Sequence, residues 1–318
     1  MSSPADAPGR CRLCGGAASA IRPFGRRVAE ETFLSRCERC AAEFLDPQPS
    51  SAWLAEEYRD YYARRATLLE SPKRAFFEEL LDLLACDFSK RCVMDVGAAE
   101  GELIAALGQR WPEARAFALE AHPDARPFLE RLGCRYASLD VVDWLAERSP
   151  ERFDFIFLFD VIEHLRDPLE VVRDLAQHHL RPSGTIVASF PMATSASRRI
   201  LGRLWPQYKL EHLFYLSPGA VSRLEEAAGL CRRTLRPLHK KLSLAYFLAV
   251  GSRFGPAPTR RACRLAERIL PSALSRWRAP LGIGESLWIA AREGAPHEGP
   301  TAPSKGAPAA PSPSAQPE

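Results

Sequence analysis

The sequence predicts an α/β protein with a doubly wound sheet of seven strands, a small cysteine-containing module before it, and a helical insert before its last strand. Three observations support this prediction. Short apolar runs alternate with amphipathic segments from residue 91 onward, as a parallel sheet covered by helices requires. The first apolar run ends in a glycine-containing turn. The chain of 318 residues is 46% hydrophobic, which suffices for one large domain with additions.

The N-terminal segment holds four of the nine cysteines in two short motifs, Cys11-x-x-Cys14 and Cys37-x-x-Cys40. Two such motifs can place four thiolates at the corners of a tetrahedron, which is a structural zinc site without an open position for catalysis. The segment therefore predicts a zinc-ribbon-like module over residues 1–50, the alternative being four unrelated buried thiols. The odd cysteine count and the lack of a secretion-signal pattern favour a cytoplasmic location.

Residues 51–90 are expected to form two helices that link the module to the sheet. The first is rich in aromatic residues, and the second begins at Ser71-Pro72, an N-cap residue followed by proline. The domain itself is predicted over residues 91–292, and the Pro-, Ala- and Ser-rich residues 293–318 predict a disordered tail. Strands are predicted at residues 91–96, 115–120, 134–138, 153–159, 184–190, 230–237 and 285–291.

The turn after the first strand, Asp-Val-Gly-Ala-Ala-Glu-Gly at residues 95–101, is the most informative stretch for function. A strand, a glycine turn and a helix bring backbone N–H groups and a positive helix end to a ligand. Asp95 and Glu100 flank this turn and would repel a pyrophosphate, and the three-glycine signature of dinucleotide sites is absent. A ligand with an ammonium, a sulfonium and one carboxylate tolerates such a site, so the turn predicts S-adenosylmethionine.

A second acid strengthens this prediction. Glu120 ends the second predicted strand, 25 residues after Asp95. A carboxylate at the tip of the second strand in such folds accepts both hydrogen bonds from a ribose diol. The alternative is that Asp95 and Glu120 are ordinary polar residues at strand ends.

Successive segments then resemble the motifs of class I S-adenosylmethionine-dependent methyltransferases, most closely the ubiquinone-methyltransferase-like group. The resemblance lies in the glycine turn, the strand end at Glu120, F-D-V-I-E-H-L-R-D-P at 159–168 and L-R-P-S-G-T-I-V-A-S-F-P at 180–191. It implies the Rossmann-like sheet of that family, a methyl-transfer activity and S-adenosylmethionine as cofactor.

The same resemblance implies roles for individual residues. Asp95, Gly97 and Gly101 would line the methionine end of the cofactor, and Glu120 would hold the ribose. Asp140, near the end of the third strand, would meet the adenine edge, and Asp160 would lie near the sulfonium. Glu163 and His164 are expected either to cap the next helix or to contact the ligand.

The loop after the fifth strand, residues 191–216, is expected to hold the methyl acceptor. Glu211 precedes His212 in this loop, and a neighbouring carboxylate raises the basicity of an imidazole and fixes its orientation. The pair is therefore a candidate general base; the alternative is a histidine that anchors the loop. Arginines 198, 199 and 203 are candidates for clamping a phosphate.

The cysteine module and the Glu-His pair before a tyrosine also resemble a narrower group, the C-methyltransferases that act on nucleotide-linked deoxysugars. This resemblance implies that His212 with Glu211 deprotonates a carbon beside a keto group, assisted by Tyr62 or Tyr208. The expected partner is then a small-molecule acceptor, anionic if it is nucleotide-linked. The chain departs from this group because the large C-terminal domain usual there is replaced by a basic insert and a tail.

That insert, residues 239–280, carries nine Lys and Arg residues against a single acid, Glu267. Leu265, Ile269 and Leu270 give part of it an amphipathic stripe. Such a segment fits an anionic membrane surface, an anionic substrate or a solvated cap, and the sequence leaves these alternatives open. A transmembrane helix is not expected, because no run of 18 apolar residues occurs.

A function of a different class is a zinc-ribbon protein that binds RNA and modifies or holds it, with arginines of the module forming a basic face. Against this hypothesis, Asp160-Val-Ile-Glu163 stands where enzymes that methylate base amines carry an Asn/Asp-Pro-Pro-aromatic sequence. The basic residues also lack the interleaved aromatic residues of a base-stacking surface. Nucleic acid is therefore not the expected partner, and the oligomeric state stays open.

Overall fold

The computed structural model describes residues 9–25, 32–59, 73–245, 248, 252, 257–271 and 278–292. The strands are β1 (Ala18–Gly25), β2 (Thr32–Cys37), β3 (Glu43–Asp46), β4 (Cys92–Val96), β5 (Arg115–Leu119), β6 (Arg135–Ala137), β7 (Phe153–Phe159), β8 (Leu180–Pro191), β9 (Phe214–Tyr215), β10 (Leu230–Pro237), β11 (Lys240–Ser243), β12 (Arg278–Leu281) and β13 (Glu285–Arg292). The helices are α1 (Ser51–Arg59), α2 (Lys73–Leu84), α3 (Glu102–Arg110), α4 (Arg126–Leu132), α5 (Val141–Ala146), α6 (Pro168–Asp174), α7 (Ala196–Leu201), α8 (Pro218–Ala228) and α9 (Ala257–Ile269).

A seven-stranded sheet in the order β10-β13-β8-β7-β4-β5-β6 forms the centre of the molecule. Strands β4 to β8 pair in parallel, whereas β13 enters antiparallel between β8 and β10. The predicted doubly wound sheet is therefore confirmed, with all seven predicted strands present. The largest boundary difference is in β8, which begins at Leu180 because this residue already pairs with Phe153 of β7.

Strand β7 shows why the sheet is stable. Its sequence, Phe-Asp-Phe-Ile-Phe-Leu-Phe, is buried at six of seven positions, since neighbouring strands and helices cover both edges and both faces of a central parallel strand. Phe155 and Phe157 pack on Phe88 beneath helix α2, and Phe153 packs on Trp144 of α5. Each such ring contributes about 1.5–3 kcal/mol through burial, so this strand holds both helical layers to the sheet.

The helices match the sequence prediction where the structure describes them. The Ser217 hydroxyl accepts a hydrogen bond from the backbone N–H of Ala220 (3.0 Å) at the start of α8, and Gly229 ends that helix with φ of 64°. The predicted aromatic helix at 51–69 is described only as α1. Tyr62 and the predicted N-cap at Ser71 lie outside the described residues.

The N-terminal module is a second, antiparallel sheet in the order β1-β2-β3-β9. Strands β1 to β3 come from the predicted module, but β9 comes from the acceptor loop more than 160 residues later in the chain. Phe44 of β3 stands opposite Phe214 of β9. The module predicted at residues 1–50 is thus completed by a strand of the domain predicted at residues 91–292.

The insert before the last strand is built on a two-stranded antiparallel ribbon of β11 and β12, with α9 between them in sequence. Lys240 stands opposite Leu281 at the open end of this ribbon. Within the described segments, every helix is too short or too polar to cross a membrane.

Candidate active site

The glycine turn after β4 is held in a strained shape by close contacts. Gly97 has φ of 71°, and a Cβ atom there would lie 2.7 Å from a methyl of Val161. Ala99 adopts φ of 51° although it is not glycine, a conformation that costs energy and is retained where the surroundings impose it. The N–H groups of Gly97 and Ala98 both donate to the Leu119 carbonyl (2.8 and 3.2 Å). The turn is therefore tied directly to the end of β5.

Gly101 shapes this turn. Its N–H donates to the Ala98 carbonyl (2.9 Å), and a Cβ there would lie 2.4 Å from Leu132 and 3.0 Å from Leu129. Helix α4 thus covers the side-chain position of Gly101, and its place at the methionine end of the cofactor stays a prediction. Gly97 keeps its predicted place next to the segment that follows β7.

Glu120 is fixed by two backbone donors. One carboxylate oxygen accepts from the N–H of Ala99 (2.8 Å), and the other accepts from the N–H of His122 (2.9 Å). Each oxygen of an ionised carboxylate can accept a further hydrogen bond. The carboxylate is thus rigidly placed between the turn and the end of β5, with acceptor capacity left for the two hydroxyls of a diol.

Asp95 and Asp160 complete a set of three carboxylates with Glu120. They lie at or just after the carboxyl ends of β4, β5 and β7, which are neighbours in the sheet, so the three acids share one edge. Asp95 is buried. Asp160 has φ of 55° and accepts a hydrogen bond from the Ser189 hydroxyl (2.9 Å). Such an edge favours a cationic ligand over a phosphate.

Asp140 is an exposed N-cap residue. Its carboxylate accepts a hydrogen bond from the N–H of Val142 (2.8 Å) at the start of α5, which accounts for the acid without a ligand. Its predicted contact with the adenine edge stays a prediction.

Tyr58 of helix α1 connects two of these strand ends, a contact that the sequence analysis did not predict. Its hydroxyl lies 2.7 Å from Nδ1 of His164, and its carbonyl accepts from Nε2 of His122 (3.0 Å). Nδ1 of His122 accepts from the N–H of Asp124 (3.2 Å), so the proton of this imidazole is on Nε2. Helix α1 is therefore fastened across the edge that carries Glu120 and Asp160.

Glu163, His164 and His212 gather beside that edge. A carboxylate oxygen of Glu163 and one ring nitrogen of each histidine lie within 4.8 Å of one another. The His164 and His212 rings meet edge to face, with centroids 4.7 Å apart. Nδ1 of His164 lies 2.9 Å from the Glu211 carbonyl; since a carbonyl can only accept, this contact requires the proton on Nδ1.

Desolvation favours the uncharged form of two members of this cluster. Desolvation, assisted by the charge of Asp160, raises the pKa of Glu163 well above its usual value. Desolvation, assisted by Lys209, lowers the pKa of His164 to about 4. One oxygen of Glu163 has no hydrogen-bond partner among the described residues. Both groups lie next to His212, which is buried.

Tyr208 and Arg198 both contact Glu43 of β3. The Tyr208 hydroxyl donates to Glu43 (3.1 Å) and accepts from Nε of Arg198 (3.0 Å), and Arg198 also pairs with Glu43. Arg22 lies over the Tyr208 ring, 4.6 Å from its centroid. These contacts account for both polar groups, and the catalytic role of Tyr208 and the phosphate-binding role of Arg198 stay predictions. Their polar groups bind the acceptor loop to β3, and the carbonyl of Glu211, rather than its carboxylate, is what contacts the histidine cluster.

The four cysteines of the N-terminal module come together as predicted. The sulfur atoms of Cys11 and Cys40 are 3.6 Å apart, those of Cys14 and Cys37 are 3.4 Å apart, and the four lie within 4.8 Å of one another. The hydrogen bond from Cys11 lowers the pKa of Cys40 to about 5, while burial raises the pKa of Cys14 to about 11.

Close packing surrounds this cysteine cluster. A Cβ on Gly16 would lie 3.2 Å from two of the sulfurs, and Cys37 accepts hydrogen bonds from the N–H groups of Arg39 (3.3 Å) and Cys40 (3.4 Å). The Cys40 carbonyl accepts from the Ser217 hydroxyl at the start of α8. The four-sulfur set, its backbone donors and its restricted space fit a structural zinc ion.

Comparisons with known proteins agree with this geometry. A family model described as a methyltransferase domain matches residues 55–231. The ubiquinone biosynthesis O-methyltransferase of Aeromonas salmonicida is 24% identical over 163 residues, or 48% of this chain and 67% of that protein. The corresponding enzyme of Idiomarina loihiensis is 27% identical over 155 residues, or 45% of this chain and 62% of that protein. The alignments thus span about two thirds of these relatives.

Solved structures are similar at lower identity. The mitomycin 7-O-methyltransferase MmcR aligns with a TM-score of 0.49 and 18% identity over 76% of this chain and 61% of its own. A S-adenosylmethionine-dependent methyltransferase from Archaeoglobus fulgidus aligns with a TM-score of 0.49 and 16% identity over 73% of this chain and 99% of its own.

Proposed function

Because the chain belongs to the class I S-adenosylmethionine-dependent methyltransferases, we propose that it transfers a methyl group to a small-molecule acceptor that must lose a proton. The observation that carries the cofactor side of this proposal is the Glu120 carboxylate, held by two N–H donors beside the turn at Gly97. The observation that carries the acceptor side is the cluster of Glu163, His164 and His212, in which Glu163 and His212 are buried.

The residues present suit the cofactor. Glu120 would accept hydrogen bonds from the ribose hydroxyls, and Asp95 and Asp160 would supply negative charge to the ammonium and sulfonium groups. The missing side chain at Gly97 leaves room between the turn and Val161 that a Cβ would fill. When bound, the cofactor supplies an electrophilic methyl group on a positively charged sulfur. The protein then has to align the acceptor, exclude water and remove the acceptor's proton.

His212 is the proposed base. The carbonyl of Glu211 and the hydroxyl of Tyr58 fix His164. The edge-to-face contact with the His164 ring then fixes the His212 ring. Because the pKa of His164 is lowered to about 4, this imidazole is a weak base at neutral pH, and we assign the role of the base to His212. Helix α1, fastened through Tyr58, supports the exclusion of water from this side of the sheet edge.

The acceptor we propose is a keto sugar linked to a nucleotide, methylated at the carbon next to the keto group. That chemistry requires a base to remove a C–H proton, which the histidine cluster supports. With Arg198 paired to Glu43, the exposed Arg199 and Arg203 are the arginines of the loop that we assign to an anionic acceptor. We further propose one structural zinc ion at Cys11, Cys14, Cys37 and Cys40.

Deuterium exchange separates proton removal from methyl transfer. The protein is incubated with nucleotide-linked keto sugars in D2O, with and without S-adenosylmethionine, and analysed by mass spectrometry. We expect deuterium at the carbon next to the keto group without the cofactor, and methylated product plus S-adenosylhomocysteine with it. If an oxygen acceptor is methylated and no deuterium appears at carbon, the assignment of a keto sugar as the acceptor is wrong, whereas the assignment of methyl transfer stands.

The role of His212 is tested with His212→Gln, and exposed His178→Gln serves as the matched control. Loss of a general base costs roughly 10²–10⁴-fold in rate, so we expect such a loss of turnover with cofactor affinity unchanged. Turnover of His212→Gln within a few-fold of the His178→Gln value would make His212 a structural residue.

A further inference from the structure

Several of the described residues expose large apolar side chains, and two pairs of them are exposed most. The four most exposed among them are Ile200 (82%), Leu204 (74%), Ile269 (68%) and Leu265 (59%). Single exposed apolar residues are ordinary on protein surfaces. Two on consecutive turns of one basic helix, as at Leu265 and Ile269 of α9, indicate a contact surface.

Among the described residues, helix α9 contacts the rest of the protein through one side. Cys263 and Ala266 are half-buried, and Glu267 accepts a hydrogen bond from the Ser252 hydroxyl (3.1 Å). At 100° per residue these three positions share one side of the helix. Leu265 and Ile269, four residues apart, form a stripe on another side, and this stripe points away from the contact with Ser252.

Exposed arginines complete the outward side. Arg264 and Arg268 lie four residues apart and form a second stripe, and Arg261 lies between this stripe and the apolar one. Arg260 lies seven residues before Glu267 and therefore on the side of that residue. All four arginines are exposed. The surface of α9 that faces away from the contact with Ser252 therefore combines an apolar stripe with three positive charges, which is the composition of a helix lying in the headgroup region of an anionic bilayer.

We propose that α9 docks the protein on an anionic lipid membrane, with Leu265 and Ile269 inserted among the acyl chains and the arginines at the lipid phosphates. Charge argues for this occupant. A second copy of the chain on the same surface would place arginine stripes against each other, and a polyanion without an apolar phase would leave the two apolar side chains in water.

The second exposed pair, Ile200 in α7 and Leu204 just after it, lies near the segment that follows the insert. The indole N–H of Trp205 donates to the carbonyl of Ile283 (2.9 Å), where the chain returns from β12. A Cβ at Gly284 would lie 2.7 Å from the Ser197 hydroxyl. The segment that leaves the insert therefore packs against the loop that we assign to the acceptor.

The test is co-sedimentation of the full-length protein with vesicles of phosphatidylcholine containing about one third phosphatidylglycerol, against vesicles of phosphatidylcholine alone. We expect binding to the anionic vesicles and weaker binding as salt is raised. Each arginine near such a surface contributes about a fivefold gain in partitioning, so Arg264→Gln/Arg268→Gln should weaken it roughly 25-fold. Leu265→Glu/Ile269→Glu should abolish it, and Val142→Glu, at another exposed apolar residue, should leave it unchanged.

Parallel light scattering without lipid measures oligomeric state. The proposal is overturned if the parent does not sediment with anionic vesicles, or if Leu265→Glu/Ile269→Glu binds them as the parent does. It is also overturned if those substitutions dissociate an oligomer, because a second copy would then cover this face. Cofactor affinity, measured alongside, should be the same in all variants, so failure of lipid binding and failure of the proposed activity are distinguishable.

Discussion

Replacing Glu120 by alanine should weaken cofactor binding far more than any other change of one surface charge. In the structure both carboxylate oxygens are held by N–H groups, at 2.8 Å from Ala99 and 2.9 Å from His122. The carboxylate is thus placed before a ligand arrives, and little entropy is lost when ribose hydroxyls bind to it.

The magnitude follows from the number of hydrogen bonds. A hydrogen bond to a charged group contributes about 1.5–3 kcal/mol, and two are lost. Because Glu120 is half-buried, water compensates for part of the loss, and the lower end of the range applies to each. The expected penalty is about 3 kcal/mol, or a Kd for S-adenosylhomocysteine roughly 150-fold above that of the parent protein.

Glu120→Gln should not rescue binding. Its amide can offer an oxygen to only one of the two N–H groups and would direct its own NH2 donor at the other. We therefore expect Glu120→Gln to bind the cofactor as poorly as Glu120→Ala. Both should unfold at a lower temperature, on the order of 5 °C, because a backbone donor loses its charged acceptor.

The assay is isothermal titration calorimetry with S-adenosylhomocysteine, with thermal unfolding recorded on the same samples. Glu147→Ala, which removes an exposed acid, controls for the change in net charge. If Glu120→Ala remains folded and binds within about threefold of Glu147→Ala, the ribose is held elsewhere and the assignment of Glu120 is wrong.

Four further outcomes are expected. Purified protein should contain about one zinc ion per chain, and Cys37→Ser should lose it. One metal ion per chain retained by Cys37→Ser would lie at Glu163, His164 and His212 and would contradict the assignment of His212 as the base. Glu163→Gln should unfold at a higher temperature than the parent at pH 8, and the difference should be smaller near pH 5. Because the pKa of Glu163 is raised in the folded chain, the unfolded chain releases a proton that the folded chain keeps as pH rises. The parent therefore loses stability as pH rises above the pKa that Glu163 has in the unfolded chain. The pKa of about 4 at His164 has the opposite consequence, because the unfolded chain takes up a proton as pH falls from 6.5 to 4 and the folded chain does not. Denaturant titrations should therefore show the parent losing stability as pH falls through that interval, and Tyr58→Phe should show the same pH dependence. Tyr208→Phe should destabilise the protein by about 1 kcal/mol through the lost bond to Glu43, with turnover at saturating substrate nearly unchanged; a large drop in turnover alone would support the catalytic role of Tyr208.

The strands and the cofactor edge could be predicted because their signals are local. The period of apolar residues marks strands and helices, and in a parallel sheet the carboxyl ends of neighbouring strands share an edge, which brings Asp95, Glu120 and Asp160 together. The two CxxC motifs likewise encode their cluster through spacing alone.

The contacts that the sequence did not predict join residues far apart in the chain. Tyr58 meets His164 across 106 positions, and Arg198 meets Glu43 across 155. Nothing in the spacing of these residues indicates such partners, so Arg198 looked available for a phosphate and Tyr58 looked like one aromatic among several. Similarly, Glu211 and His212 are neighbours in sequence, but the backbone turns so that the carbonyl of Glu211 faces His164.

Because β3 pairs with β9, the smallest functional fragment of this enzyme has to include the N-terminal module. The family match begins at residue 55, after β3, so a truncation made at that boundary would cut through a hydrogen-bonded sheet. Leu213 would lose the N–H of Leu45 that its carbonyl binds at 3.0 Å, and the start of α8 would lose the Cys40 carbonyl. The cysteine module therefore helps to hold residues 213–217 in place, and a fragment that lacks the module would lack these contacts.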